Sequence, residues 1–462
     1  MSRAILLAVV SLCFAPANRA APLAGQIADR STLIAALDSA ARAHDALANV
    51  AGISVAVIRG ADTLLLKGYG DADLEWDVPT PADASASYEI GSVTKQFTAA
   101  AILLLVEEGK LDLDEDFTKY LPAFDRRGHQ VPLRRLLDHT SGIKGYTEMP
   151  VFGEISTKAL PRDTLVSLVE AEPFEFEPGT AQIYNNSAYF LLGLIIEKVS
   201  GESYADFVRK RLFEPAGMTS SYYCSESAVR DYKAHGYDGS PQGLVHKRPL
   251  DHTWPYAAGS LCSTAPDLIR WNRALHGGRL LKPESYRAMT TPVPLLDGTP
   301  LEYAMGLAIT RRGEHRVIAH GGGINGYLSD VTYLPDNELL IVVLQNSTGP
   351  QGPGSLTTTF ANLILGPVPE PQPVPYTGAL DALVGEYAGP ARGRHVHMSV
   401  RRDADQLVFA TPGQSQDVRP VHTGDGVWVN RGTRYRFVIA GDKAIELRMA
   451  QGAGRFVLRR IR

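Results

Sequence analysis

Apolar residues fall on nearly every side of a helical wheel between Thr94 and Glu108, and no Pro or Gly interrupts them before Gly109. A helix that is apolar all round is a buried one, so Tyr88–Gly109 predicts a central helix. Ser92 suits its N-cap or a near-cap position, and Gly109 suits the left-handed residue just past its end. Helical periodicity recurs over Leu33–Leu47, Asp163–Ala171, Ser187–Val199, Ser203–Leu212 and Thr264–Leu275, with polar caps at Asp163, Ser187, Ser203 and Thr264. A short helical turn is predicted at Leu133–Leu137 and a closing helix over Ser355–Leu365. Period-two or continuous β-branched runs predict a hairpin from Gly52–Ile58 and Asp62–Lys67, a strand at Arg316–Ala319, and a second hairpin from Ser329–Leu334 and Leu339–Leu344.

Gly366–Pro375 alternates Pro with other residues and reads as an extended linker (residues 367–375). Beyond it short strands recur over Arg394–Val400, Gln406–Phe409, Gly426–Asn430, Arg434–Ile439, Ala444–Met449 and Arg455–Leu458. They predict a small antiparallel β-barrel or sheet over residues 376–462. A chain of 462 residues has room for such a second domain. The net charge of −4, with no block of like charge, argues against nucleic acid as a partner.

Arg3, an apolar run from Ala4 to Phe14 and small residues at Ala15–Ala17 and Ala20–Ala21 form a signal-peptide pattern over residues 1–20. The run is short for a bilayer span, no later segment is long and apolar enough, and Leu12 before Cys13 does not suit a lipoprotein site. The expectation is export to the periplasm or medium, with no integral membrane segment after cleavage. Of the cysteines left, Cys224 and Cys262 are candidates for a structural disulfide, with two buried free thiols as the alternative.

Ser92 and Lys95, three apart on a helix, share a face, and an amine that gives up its proton can take one from a serine. The helix N-terminus adds backbone amides suited to an oxyanion. Ser-x-x-Lys is short, and it recurs at Ser141–Lys144 inside a loop, where the two residues need not share a face. By itself it also reads as a capped helix with a solvated lysine. Tyr184-Asn185-Asn186, at the mouth of the Ser187 helix, could place a phenol over a cleft. The charge on Lys95 is expected to lower the pKa of Tyr184 and favour the phenolate, and Asn186 to hold Lys95 or a substrate carbonyl. His320-Gly321-Gly322-Gly323 follows a strand, and its glycines allow a substrate close approach, with the Gly323 and Ser92 amides forming an oxyanion hole. The similar His276-Gly277-Gly278 reads as a helix end, and His422-Thr423-Gly424 lies in the tail, where it is not expected to reach Ser92.

Taken together, Ser92-Val93-Thr94-Lys95, Tyr184-Asn185-Asn186 and His320-Gly321-Gly322 resemble the three motifs of class C β-lactamases and the related D-alanyl carboxypeptidases, D-aminopeptidases and esterases. Leu136–Gly142, Phe176–Gly179, Ala258–Thr264 and Asn325–Tyr327 are similar too. The resemblance runs from about residue 35 to 366, within a hydrolase domain placed at 30–366, and the tail is similar to lipocalin-like β-domains. It implies an α/β (α+β) fold in which an antiparallel sheet is flanked by helices and interrupted by a helical insertion. It implies an acyl intermediate on Ser92, proton movement by Lys95 and Tyr184, an oxyanion hole of the Ser92 and Gly323 amides, and substrate contacts from Asn186, His320, Gly321 and Gly322.

Class C β-lactamases carry Lys-Thr-Gly where this chain has His320-Gly321-Gly322. Losing that permanent charge ranks esters and amides, D-amino-acid peptides among them, above β-lactams and D-alanyl carboxypeptidase substrates. The partner expected is a small-molecule or peptide substrate, with no cofactor. A non-catalytic ligand-binding protein on the same fold is the alternative. A metal site has weaker support: His395 and His397 share a strand face without a carboxylate or cysteine nearby.

Overall fold

The computed structural model describes residues 29–413, 416–452 and 454–462. The signal-peptide pattern and Cys13 lie outside the described residues. Seven antiparallel strands form the main sheet, in the order Val78–Pro79, Asp62–Asp73, Gly52–Arg59, Leu339–Gln345, Tyr327–Leu334, His315–Ile324 and Ala308–Arg312. Its centre joins the N-terminal hairpin to the C-terminal one, Ile53 opposite Gln345 and Arg59 opposite Leu339. The Leu339–Gln345 strand is buried along its whole length, as a continuous apolar run requires when both sheet faces are covered. One face packs on helices Arg30–Asp45 and Pro353–Leu365, through Leu37, Val55, Ile341 and Phe360. The other face packs on the large helical region between the hairpins, around Thr94–Glu107 and Asn186–Ser200.

Phe97 and Ile102 of the Thr94–Glu107 helix are fully buried. Phe97 stacks on Trp271 with centroids 3.9 Å apart, and the Trp271 indole N–H donates to Gln96. Each such apolar side chain contributes roughly 1.5–3 kcal/mol by leaving water. The helix begins differently from expectation. Gly91–Val93 forms a 3₁₀ turn, the α-helix starts at Thr94, and Ser92 makes no capping bond. Gly109 does take the left-handed conformation, at φ 70°. Two other caps shift. Asn185, not Ser187, caps the Asn186–Ser200 helix by accepting from the Ala188 amide, and Pro161 precedes the helix that begins at Arg162. Ser203 and Thr264 cap as expected.

The strand expected at Arg316–Ala319 continues through His320-Gly321-Gly322-Gly323 to Ile324, because Tyr327–Leu334 pairs with it the whole way. Strands at Ala308–Arg312 and Leu261–Ser263 escaped the sequence pattern, each too short to show periodicity. After an irregular stretch over residues 366–378, eight antiparallel strands curl into a near-closed barrel around Tyr387, Leu407, Leu447 and Leu458. Mutual backbone bonds of 2.8 Å between Phe409 and Val418 fasten one of its edges. Gly385–Ala391, rich in Gly and Ala, forms one of these strands without a sequence signal. The barrel docks on the domain that precedes it. Gln182 and Arg455 exchange backbone bonds of 3.1 and 2.7 Å, and Ile183 enters the barrel's apolar cluster.

Candidate active site

Gly91 permits the Ser92 turn in two ways. Its φ is +50°, and a Cβ there would lie 2.9 Å from the Gly323 nitrogen. Gly322 is equally constrained, since a Cβ would lie 2.1 Å from the Ile90 carbonyl oxygen and 2.3 Å from Ser329 Oγ. The Ser329 hydroxyl donates to that carbonyl at 2.9 Å. Turn and glycine strand are thus pressed together, bringing the Gly323 backbone to the side of Ser92.

Lys95 is wholly buried. Its Nζ lies 3.1 Å from Ser92 Oγ, 2.8 Å from Asn186 Oδ1 and 2.8 Å from the Ala258 carbonyl oxygen. Burial drives its pKa well below the ordinary 10.5, and Arg392 lowers it further. A neutral amine has two N–H bonds and one lone pair. Asn186 Oδ1 and the Ala258 carbonyl can only accept, so they take the two protons and leave the lone pair toward the Ser92 hydroxyl. The Asn186 orientation is fixed in turn: its Nδ2 donates to Thr147 Oγ1 at 3.1 Å, and Thr147 donates to Glu148 at 2.8 Å.

The Tyr184 ring stands 4.7 Å from Lys95 Nζ. Its phenol oxygen is buried without a hydrogen-bond partner among the described residues, and burial moves its pKa upward, opposed by the nearby Ser92 hydroxyl and by Arg392. The expected phenolate is therefore corrected: the lysine gives up its proton before the tyrosine does, because desolvation penalises both charged forms, the ammonium and the phenolate. His320 is buried and its pKa falls to about 3, through burial and then the Lys95 charge. Its Nδ1–H donates to the Gly321 carbonyl at 2.6 Å, leaving Nε2 to accept from the Tyr303 hydroxyl at 2.9 Å. The structure thus brings Ser92, Lys95, Tyr184, Asn186 and the His320–Gly323 strand into one cluster.

The decoys lie elsewhere. Ser141 is buried and accepts from the Ile143 amide, while Lys144 pairs with Glu175 at 2.8 Å. His276 ends the Ala265–His276 helix and bonds Tyr286, and His422 bonds the Val374 carbonyl. His395 and His397 are exposed neighbours, 5.4 Å between centroids. Cys224 and Cys262 form a disulfide with Cα atoms 5.3 Å apart, beside the Tyr88–Glu89 strand that leads into the Ser92 turn. Among the described residues two carboxylate–histidine groups are close enough to share a cation, Glu89–Glu226–His252 and Asp73–Glu75–His235. In the first, Lys247 lies 2.7 Å from both carboxylates and Lys233 lies 3.1 Å from Glu89, so ammonium groups already supply the positive charge.

Four contributors were given no role by the sequence, although His139 and Ala258 lie in segments that carry the family resemblance. Ala258 acts through its backbone. The His139 ring packs at a tilt against Tyr184 and Tyr303, with centroids 4.3 and 4.7 Å away, and its Nδ1 accepts from the Asn185 amide at 3.1 Å. Its φ of +63° is a left-handed backbone on a non-glycine residue. Glu148 and Arg392 form an ion pair of 2.5 Å, with the guanidinium carbon 5.3 Å from the Tyr184 ring centroid. Arg392 belongs to the barrel, so the tail does reach the site, contrary to expectation. It also places a permanent positive charge there, which the His320 motif had removed.

A buried lysine aimed at a serine, with a tyrosine and a glycine-bearing strand around them, defines a serine hydrolase of the β-lactamase type. Residues 37–365 match the Beta-lactamase family, and the chain belongs to it. It is 31% identical over 309 residues to penicillin-binding protein 4* of Bacillus subtilis, covering 63% of this chain and 67% of that one. It is 28% identical over 303 residues to a D-aminopeptidase of Gluconobacter oxydans, covering 64% of this chain and 55% of that one. The chain thus spans between about half and two thirds of the length of these curated relatives. The solved D-amino acid amidase of Ochrobactrum anthropi, complexed with D-phenylalanine, superposes with a TM-score of 0.63 at 26% identity, covering 72% of this chain and 99% of that one. Among the described residues no helix is long and apolar enough to cross a membrane.

Proposed function

We propose that the protein is an exported serine hydrolase that forms an acyl intermediate on Ser92 and cleaves amides or esters, D-amino-acid derivatives foremost. The observation that carries this reading is the Lys95 Nζ–Ser92 Oγ distance of 3.1 Å, made by an amine whose burial favours its neutral form. Ser92 Oγ bonds to the substrate carbonyl carbon while its proton passes to Lys95, and the Ser92 and Gly323 amides receive the oxyanion. Collapse breaks the bond to the amine or alcohol, which leaves with a proton relayed through Lys95 and Tyr184. Water then attacks the acyl group by the same route in reverse, releasing the acid and restoring Ser92. The likeness to a D-aminopeptidase and a D-amino acid amidase supports the substrate class. The N-terminal pattern and the Cys224–Cys262 bridge support export through an oxidising compartment.

A second reading, D-alanyl carboxypeptidase or β-lactamase activity, gains from Arg392, whose guanidinium could take a substrate carboxylate. One experiment separates these. The mature protein is treated with a fluorophosphonate and the adduct mapped, then D-amino-acid amides, short-chain aryl esters, D-alanyl peptides and nitrocefin are screened against wild type and Ser92→Ala. Labelling at Ser92 and turnover of D-amino-acid amides, both lost in Ser92→Ala, is the expected result. An unlabelled protein, or an adduct at Ser141, sinks the acyl-serine reading.

A further inference from the structure

The barrel's outer wall and the hydrolase loop Leu295–Glu302 enclose a cleft of about 480 Å³, within the size of small-ligand sites, roughly 300–1,000 Å³. Ser92, Lys95, Tyr184, Asn186 and His320 are absent from its walls. Arg434, Arg436, Arg448 and Arg455 line it, brought together because neighbouring strands turn alternate side chains to the same face. The loop answers with only Asp297 and Glu302. Glu302 pairs with both Arg434 and Arg455, and Arg448 pairs with Asp297 at 2.7 Å and with Glu446 at 3.0 Å.

Arg436 is the guanidinium left over. Among the described residues it has no ion-pair or hydrogen-bond partner, and it stands directly across the strand pair from Arg448. Like charges in that register destabilise a sheet. An anion held between them would turn the repulsion into two charge-assisted contacts, in the planar fork geometry that guanidinium offers to carboxylate and phosphate. Pro300 and Val457 give the cleft an apolar side.

We propose that this interdomain cleft is a binding site for a small multivalent anion bearing carboxylate or phosphate groups, separate from the Ser92 pocket, with Arg436 and Arg448 as its principal ligands. The proposal is independent of the hydrolytic reading. The test is titration calorimetry on the full mature chain with citrate and, separately, pyrophosphate; the two probes distinguish carboxylate from phosphate. One-to-one binding of at least one is expected, weakened about tenfold or more by Arg436→Ala and retained after Ser92 is blocked by a fluorophosphonate. Asp297→Asn, which frees Arg448 from its carboxylate, is expected to tighten binding. No binding of either probe, equal affinity in Arg436→Ala, weaker affinity in Asp297→Asn, or loss of binding on Ser92 labelling each overturns the proposal.

Discussion

Arg392 of the barrel and Glu148 of the hydrolase domain meet at 2.5 Å above the Tyr184 ring, so both domains contribute to the candidate site. The two are the charged groups whose fields act on both Lys95 and Tyr184. Removing Arg392 takes away the permanent cation and leaves Glu148, largely buried, unpaired. Arg392→Ala is expected to lower kcat/KM for a carboxylate-bearing D-alanyl peptide by about tenfold to a hundredfold, the worth of a charge-assisted bond. For a neutral aryl ester it should change by less than about threefold, since no substrate charge is lost. Equal losses on both substrates would mean that Arg392 only positions the site.

The pH dependence follows from the buried amine. In the proposed mechanism Lys95 acts unprotonated, and it loses its proton as pH rises, so kcat/KM should climb with pH on a limb well below the ordinary lysine value of 10.5. Tyr184, with its pKa displaced upward, keeps its proton and adds no falling limb below its ordinary 10.0. Asn186→Asp places a carboxylate against Lys95, favours the ammonium, and should move the rising limb to higher pH by about one unit or more. A limb that stays put or moves to lower pH would falsify the role given to that contact.

Gly322→Ala tests the pressed contact between turn and strand. The new Cβ meets the Ile90 carbonyl oxygen and Ser329 Oγ, so the backbone beside Ser92 must shift. The rate of Ser92 labelling should fall by about a hundredfold, the scale of an ångström misplacement, with an unchanged far-ultraviolet circular dichroism spectrum. Wild-type labelling would show that turn and strand accommodate the added methyl without moving Ser92.

The Cys224–Cys262 bridge closes a loop of 38 residues. Replacing both with Ser should cost about 3–4 kcal/mol, by freeing the unfolded chain. The melting temperature should drop measurably, and wild type treated with reductant should drop with it. A double variant melting within about 1 °C of wild type would remove the bridge from the account of stability.

Much of this was written locally. The unbroken apolar helix ending at Gly109, the two hairpins of the sheet and the polyproline stretch follow from periodicity and backbone chemistry that each segment carries by itself. Ser92, Lys95, Tyr184, Asn186 and His320 could be named from their residue types and motif order, and the structure gathers them into one cluster.

What only the tertiary structure decided concerns fields and distant backbone. Whether Lys95 or Tyr184 holds its proton depends on desolvation, and burial is set by the whole fold, which reversed the expectation for Tyr184. The Ala258 carbonyl has no side-chain signature, and the strand that carries His320 runs on through three glycines because its neighbour supplies the ladder. Arg392 lies 244 residues from Glu148 and past a linker. Local pattern cannot report a contact made only when two domains dock. That docking returned to the site the permanent positive charge that the sequence alone had counted as lost.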